Sequence, residues 1–348
     1  MEAKKIRYKT LDWLRIICAF LIAYDHLGPA RNEAWIVSQQ ISFWITEPLK
    51  IIQYFGAFGV SCFLLISGFC ANQKSNGIFC EIKKKFVRLI VPMWSAMLLF
   101  YIFQAAITFL TGIENWWSAF SVKQWIESAI LICHLKGIGD PVNGVLWYMV
   151  PLLIFVLLWI VLKNTIAKIS MIASILIYDA VILAAVLNGF AMSAVLPFAF
   201  MPVFGLIGAL FINGKIKTCQ GIIAAFVTYT AMIFSFTAMI FSFWKAANGY
   251  YADQPYIVSF AYAFLLFVIA ILIDERIPPV TGIWKWLSQI SYSFYLLHSM
   301  AGGWIMSILE RVGVPYTFCF IAGIIFSVLF SGINWIVFEN RMKVLRRQ

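Results

Sequence analysis

Apolar residues run along this chain in blocks of roughly twenty, and polar residues are concentrated in the gaps between them. Crossing about 30 Å of hydrocarbon takes roughly 20 apolar residues in a helix. Ten blocks fit that description, near 10–28, 51–71, 88–111, 145–163, 168–188, 194–213, 219–244, 256–274, 287–308 and 316–338. The pattern therefore predicts an all-α fold: a polytopic integral membrane bundle of about ten transmembrane helices. It predicts a single domain over 1–348 with no appended soluble domain. The gaps at 74–85, 112–144, 213–218, 248–255 and 274–285 read as irregular or polar. Within 112–144, Trp116, Trp117, Phe120, Trp125 and Ile126 suggest an amphipathic helix lying in the interface. No internal repeat or low-complexity segment stands out.

Composition sharpens the class. Hydrophobic residues make up 63% and charged residues 12%, against roughly 45–50% and 25% in a soluble domain. The formal net charge of +11 raises the question of a nucleic-acid partner. Its distribution excludes one, because the basic residues flank apolar runs and form no patch on a soluble module. With the N-terminus inside, 19 of the 26 Lys and Arg fall at inner ends, 6 fall outside, and Arg15 lies within the first span. That bias places both termini in the cytoplasm of a multi-pass protein, and the location expected for it is the plasma membrane.

Two alternatives are set aside on sequence grounds. The first apolar run follows Lys4, Lys5, Arg7 and Lys9, like the start of a signal peptide. It nevertheless carries Asp12, Arg15, Asp25 and His26 with no small-x-small cleavage site, and so reads as a retained span. The seven cysteines are scattered without a CxxC pair, so neither a disulfide framework nor a metal site is expected.

Ionisable groups inside spans are costly and are functional candidates by default. Arg15 and His26 are eleven residues apart, about 1,100° of helix rotation, which returns to within roughly 20° of one face, and about 16 Å along the axis. Arg15 thus lies towards the inner end of the stripe and His26 towards the outer end. Asp12, one turn before Arg15, is placed to pair with it. Ser67 and Gly68 end the second span at a depth close to Arg15. The cluster Lys83, Lys84, Lys85 and Arg88 suits phosphates. Asn143, Trp147 and Tyr148 open the fourth span, and Tyr295 and His298 lie in the ninth. Each has a plainer alternative. Arg15 can snorkel as a topology anchor, Gly68 can serve helix packing, and Trp147 and Tyr148 can form an aromatic belt. His298 can make a structural hydrogen bond.

Taken in order, these pieces resemble the acyltransferase-3 family of membrane acyltransferases. The similarity runs from Leu11, Asp12, Arg15 and His26 through Gly59, Val60, Ser67, Gly68 and Phe69. It continues through Leu146, Trp147 and Tyr148, then Pro202 to Gly208, then Ser291, Tyr292, Leu297 and His298, and ends at Phe338, Glu339 and Asn340. The resemblance covers about 8–342. It implies transfer of an acyl group, typically acetyl, from cytoplasmic acyl-CoA to a hydroxyl of an extracytoplasmic acceptor such as a cell-surface saccharide. No bound cofactor is implied beyond that donor substrate, and a homo-oligomer stays open. The implied roles are catalysis at His26 and Arg15, donor binding at Ser67, Gly68, Phe69, Lys85 and Arg88, and an acceptor-side cavity at Asn143, Trp147, Tyr148, Tyr295 and His298. Two departures stand out. Lys85 replaces the first arginine of the family's Arg-x-x-Arg pair, keeping the charge but losing the planar fork. Met149, Val150, Pro151 and Leu152 follow Tyr148, where many members carry a glutamate.

These roles give His26 two routes, as a base for the acceptor hydroxyl or as a transiently acylated nucleophile. The rival class is a transporter or flippase using Arg15, His26 and His298 as its path. It would call for inverted repeats and paired broken helices, which the sequence lacks.

Overall fold

The computed structural model describes residues 8–51, 55–71, 77–112, 114, 116–136, 142–189, 195–243 and 254–341. Lys4, Lys5, Arg7, Lys74, Lys245, Lys343, Arg346 and Arg347, which enter the charge bias, lie outside the described residues. Regular structure among the described residues is entirely helical.

A helix falls on every one of the ten apolar blocks. In chain order α1 (Lys9–Leu27), α2 (Ile36–Ile41), α3 (Gly56–Phe69) and α4 (Ile78–Thr111) come first. The short α5 (Val122–Ala129) and α6 (Ile132–Lys136) precede α7 (Met149–Asn164), α8 (Met171–Leu187), α9 (Met201–Ile212) and α10 (Thr218–Phe243). The chain closes with α11 (Gln254–Leu272), α12 (Gly282–Leu297), α13 (Gly303–Arg311) and α14 (Tyr316–Asn334). Tight 3₁₀ turns at Gly144–Tyr148 and Leu196–Phe200 lead into α7 and α9. A π-turn, His298–Gly302, joins α12 to α13, and another, Trp335–Glu339, follows α14.

Among the described residues, four helical stretches are long and apolar enough to cross a membrane: Ile78–Thr111, Gly144–Asn164, Thr218–Ala238 and Tyr316–Glu339. Gly56–Phe69, Met171–Leu187, Leu196–Ile212 and Tyr256–Leu272 are apolar but shorter. The short α3 has no exposed residue and packs against α1, α9 and α11. With protein on those sides, α3 needs no polar face.

Small residues set this packing. A Cβ on Gly68 would sit 1.7 Å from the carbonyl oxygen of Pro202, and one on Gly205 would sit 2.0 Å from that of Leu65. On the other side of α3, a Cβ on Gly59 would meet Ile22 at 2.6 Å. In lipid, helices gain nothing by hiding apolar surface from water, so close backbone approach of this kind carries the association.

Several gaps differ from expectation. The stretch 74–85 is helical from Ile78, so Lys83, Lys84, Lys85 and Arg88 ride on α4 and not on a loop. Lysine is a good helix former, and Glu81 in the first turn pairs with Lys163 of α7, both side chains buried. The resulting 34-residue helix is about 51 Å long by its rise per residue. Pro92 lies inside α4 and leaves the Arg88 carbonyl without its helical donor. In 112–144 the expected helix is only the eight residues of α5, capped by Ser121 and Gln124. Trp116 and Ile126 are exposed as an interfacial helix would have them, whereas Trp117 and Trp125 are buried against Phe100.

Candidate active site

A cavity of about 400 Å³ lies between the first turns of α1, the second to fourth turns of α4, the start of α7, the second half of α12, the last turns of α3 and the π-turn Trp335–Glu339. That volume is in the range of small-molecule sites. Asp12 and Arg15 reach it from α1, and Ser67 and Cys70 from α3. Lys85, Arg88 and Pro92 come from α4, Tyr148 from the turn before α7, Ser288, Tyr292 and Tyr295 from α12, and Glu339 from the π-turn after α14.

Arg15 is partly exposed at its head, and its Nη1 donates to Asp12 Oδ1 at 3.0 Å. The one-turn pairing read from the sequence is formed. Ser288 also donates to Asp12, at 3.3 Å. The guanidinium has five N–H donors, so the Asp12 contact leaves others for the cavity. Lys85 is half-buried and Arg88 exposed, one turn apart on the same face of α4. Among the described residues neither forms a salt bridge. The buried Glu81–Lys163 pair behind Lys85 fixes this part of α4 to α7. Three cations therefore face two acids, Asp12 and Glu339, in one cavity.

Glu339 and Tyr292 belong to stretches quoted for the resemblance, yet neither is among the site residues expected from the sequence. Glu339 accepts from Ser293 at 3.1 Å, Ser293 from Asn334 at 3.0 Å, and Asn334 from Ser95 at 3.0 Å. This relay orients the carboxylate from three elements. Its sequence signal is an acid just beyond the last apolar block. The positions after Tyr148, where a relative often has its acid, hold buried apolar side chains. The cavity's carboxylates come instead from the two ends of the chain.

Aromatic rings line one part of the wall. Tyr148 and Tyr295 have centroids 5.0 Å apart, and Phe63 lies 6.4 and 6.3 Å from them. Tyr295 donates to the Val145 carbonyl, Asn143 Nδ2 donates to the Leu296 carbonyl at 2.8 Å, and Tyr292 donates to that of Leu89 at 2.6 Å. The first two bonds hold the turn that carries Tyr148 against α12.

His26 and His298 do not line the cavity, but Tyr295 links it to them. Its ring lies 5.8 Å from that of His298, which lies 5.4 Å from that of His26. His298 is completely buried at the start of the π-turn, with Nδ1 3.1 Å from the Phe294 carbonyl. The α1 stripe thus has Arg15 on the cavity and His26 on a second histidine, from which it is 272 residues distant in sequence.

Besides the histidines, four expected site residues do not line the cavity, Asn143 among them, its buried amide held on the Leu296 carbonyl. Gly68 is pressed against α9. Phe69 packs on Tyr8 and Phe267, and Trp147 on Phe198. Ser67 does line the cavity, although its hydroxyl donates within the helix to Phe63 at 2.8 Å.

A helical bundle with a polycationic cavity next to a histidine pair can hold an anionic carrier near a base. The family model for the acyltransferase-3 domain matches residues 8–333, nearly the whole chain. The chain belongs to the acyltransferase-3 family. No curated protein and no solved structure matches it. As an acyltransferase-3 protein it is a membrane acyltransferase.

Proposed function

We propose that this acyltransferase moves an acyl group, acetyl in the simplest case, from cytoplasmic acyl-CoA to a hydroxyl of an extracytoplasmic saccharide. The protein acts in the plasma membrane, with ten spans and both termini cytoplasmic. The observation that carries the reading is the convergence of Arg15, Lys85 and Arg88 on one cavity, at the bundle end that the charge bias assigns to the cytoplasm. Charge-assisted contacts from such groups suit the phosphates of a coenzyme A thioester. A phosphate carrier entering there has its acyl arm directed along Tyr148 and Tyr295 towards the histidines.

At the far end of that path His26 accepts the proton of the acceptor hydroxyl. The hydroxyl oxygen forms a bond to the thioester carbonyl carbon, the carbon–sulfur bond breaks, and the departing thiolate takes up the proton from His26. The test uses membrane vesicles containing the full chain, loaded with acetyl-CoA labelled in the acetyl group. Label should appear in surface glycan and release free coenzyme A in equal amount. Label retained entirely on acetyl-CoA and its hydrolysis products overturns the reading.

A further inference from the structure

The two histidines in contact have unequal surroundings. His298 Nδ1 faces the Phe294 carbonyl at 3.1 Å, and a carbonyl only accepts, so Nδ1 carries the ring proton. Nε2 of His298 then presents a lone pair. It is buried and has no hydrogen-bond partner among the described residues. A buried acceptor of this kind calls for a donor. The nearest imidazole is that of His26, with centroids 5.4 Å apart and planes inclined at 34°. Imidazoles joined edge to edge by an N–H···N bond of about 3 Å have centroids roughly 5 Å apart, close to the separation of these two rings.

The backbone brings the two rings together by a specific device. The π-turn begins at His298, and Gly302 at its end lies where a Cβ would come within 2.6 Å of Leu27. Leu27 is the residue after His26, so the missing side chain lets the end of α1 close on the turn. Ser327 of α14, whose hydroxyl donates to the Gly323 carbonyl at 2.7 Å, lies 3.3 Å from the His298 carbonyl and packs the turn from its other side. π-turns of this kind frequently mark functional sites.

We propose that His298 is a positioning residue for His26. Its Nε2 accepts the N–H of one His26 nitrogen, which fixes the His26 tautomer and leaves the other nitrogen bare for the acceptor hydroxyl. His298 touches neither donor nor acceptor in this role. The inference rests on the reading of His26 as the base, and it adds the group that orients that base.

The test uses the full chain in lipid vesicles with acetyl-CoA as donor, supported by ¹⁵N spectra of histidine-labelled protein. The chain has three histidines, so single substitutions assign the signals. His298→Phe preserves the ring shape but removes the acceptor; it should lower the turnover rate about 10²-fold, the cost of a misplaced catalytic group. Its dissociation constant for acetyl-CoA should be unchanged. His298→Gln, whose amide oxygen can accept the same N–H, should recover most of the rate. The wild-type spectrum should show one His26 tautomer with a hydrogen-bonded N–H, and His298→Phe should show a mixture. A His298→Phe protein with wild-type turnover and an unaltered His26 signal overturns the proposal. So does a wild-type His26 signal without a hydrogen-bonded N–H, whether or not the variant folds. Normal transfer by His26→Gln would instead overturn the base reading itself, and the spectra separate the two failures.

Discussion

Arg15 shows how one residue can be legible in part. Its cost within an apolar run and its one-turn spacing from Asp12 are sequence properties, and the 3.0 Å pair follows from them. That it faces Lys85 and Arg88 across a cavity depends on how α12 packs against both α1 and α4. If Arg15 binds the donor's phosphates, Arg15→Ala removes a charge-assisted bond worth about 1.5–3 kcal/mol. Acyl-CoA affinity should then fall roughly 10–150-fold, measured by equilibrium binding to purified protein whose unfolding temperature is checked alongside. Unchanged affinity in a folded variant would leave Arg15 as a structural partner of Asp12. Glu339 marks the opposite case. Its position just past the last apolar block gives no hint that it closes a relay from Ser95 through Asn334 and Ser293.

At the scale of elements, periodicity and length locate helices well and their ends poorly. The run of lysines before Arg88 reads as a loop in one dimension, because charged residues interrupt an apolar block. In the bundle it is the first three turns of α4, held by Glu81 and Lys163. The glycines of α3 and α9 carry a testable consequence of their packing. Gly205→Ala drives a methyl group into the Leu65 carbonyl, 2.0 Å away, where backbone must shift. Overpacking of this type typically costs about 1–3 kcal/mol, so the variant should melt at a lower temperature in detergent. Gly208→Ala meets only the Phe69 ring, at 3.9 Å, and should melt as the wild type does. Equal melting of the two variants would show that the α3–α9 approach is looser than these distances.

For the whole molecule, the proposed ten-span arrangement with internal termini makes a direct labelling prediction. In a background lacking the natural cysteines, a cysteine added after Gln348 should resist impermeant thiol reagents applied from outside. Lys123→Cys, at a side chain 83% exposed at the start of α5, should react. External labelling of the C-terminus would remove the even span count. Hydropathy and charge placement are sums along the chain, so the sequence by itself determined the helical membrane class, a helix on each apolar block and the family resemblance, which the family match over 8–333 bears out. It also determined the Arg15–Asp12 pair, whose partners lie within one turn. Contacts between distant segments are not such sums. Which face of each helix meets which neighbour depends on glycine clefts, a proline and π-turns acting together. Those features drew Gly68 into the α9 interface, brought Glu339 to the cavity and set His298 beside His26. Tertiary packing alone decided these, because side chains hundreds of residues apart meet only where helix backbones can approach closely enough.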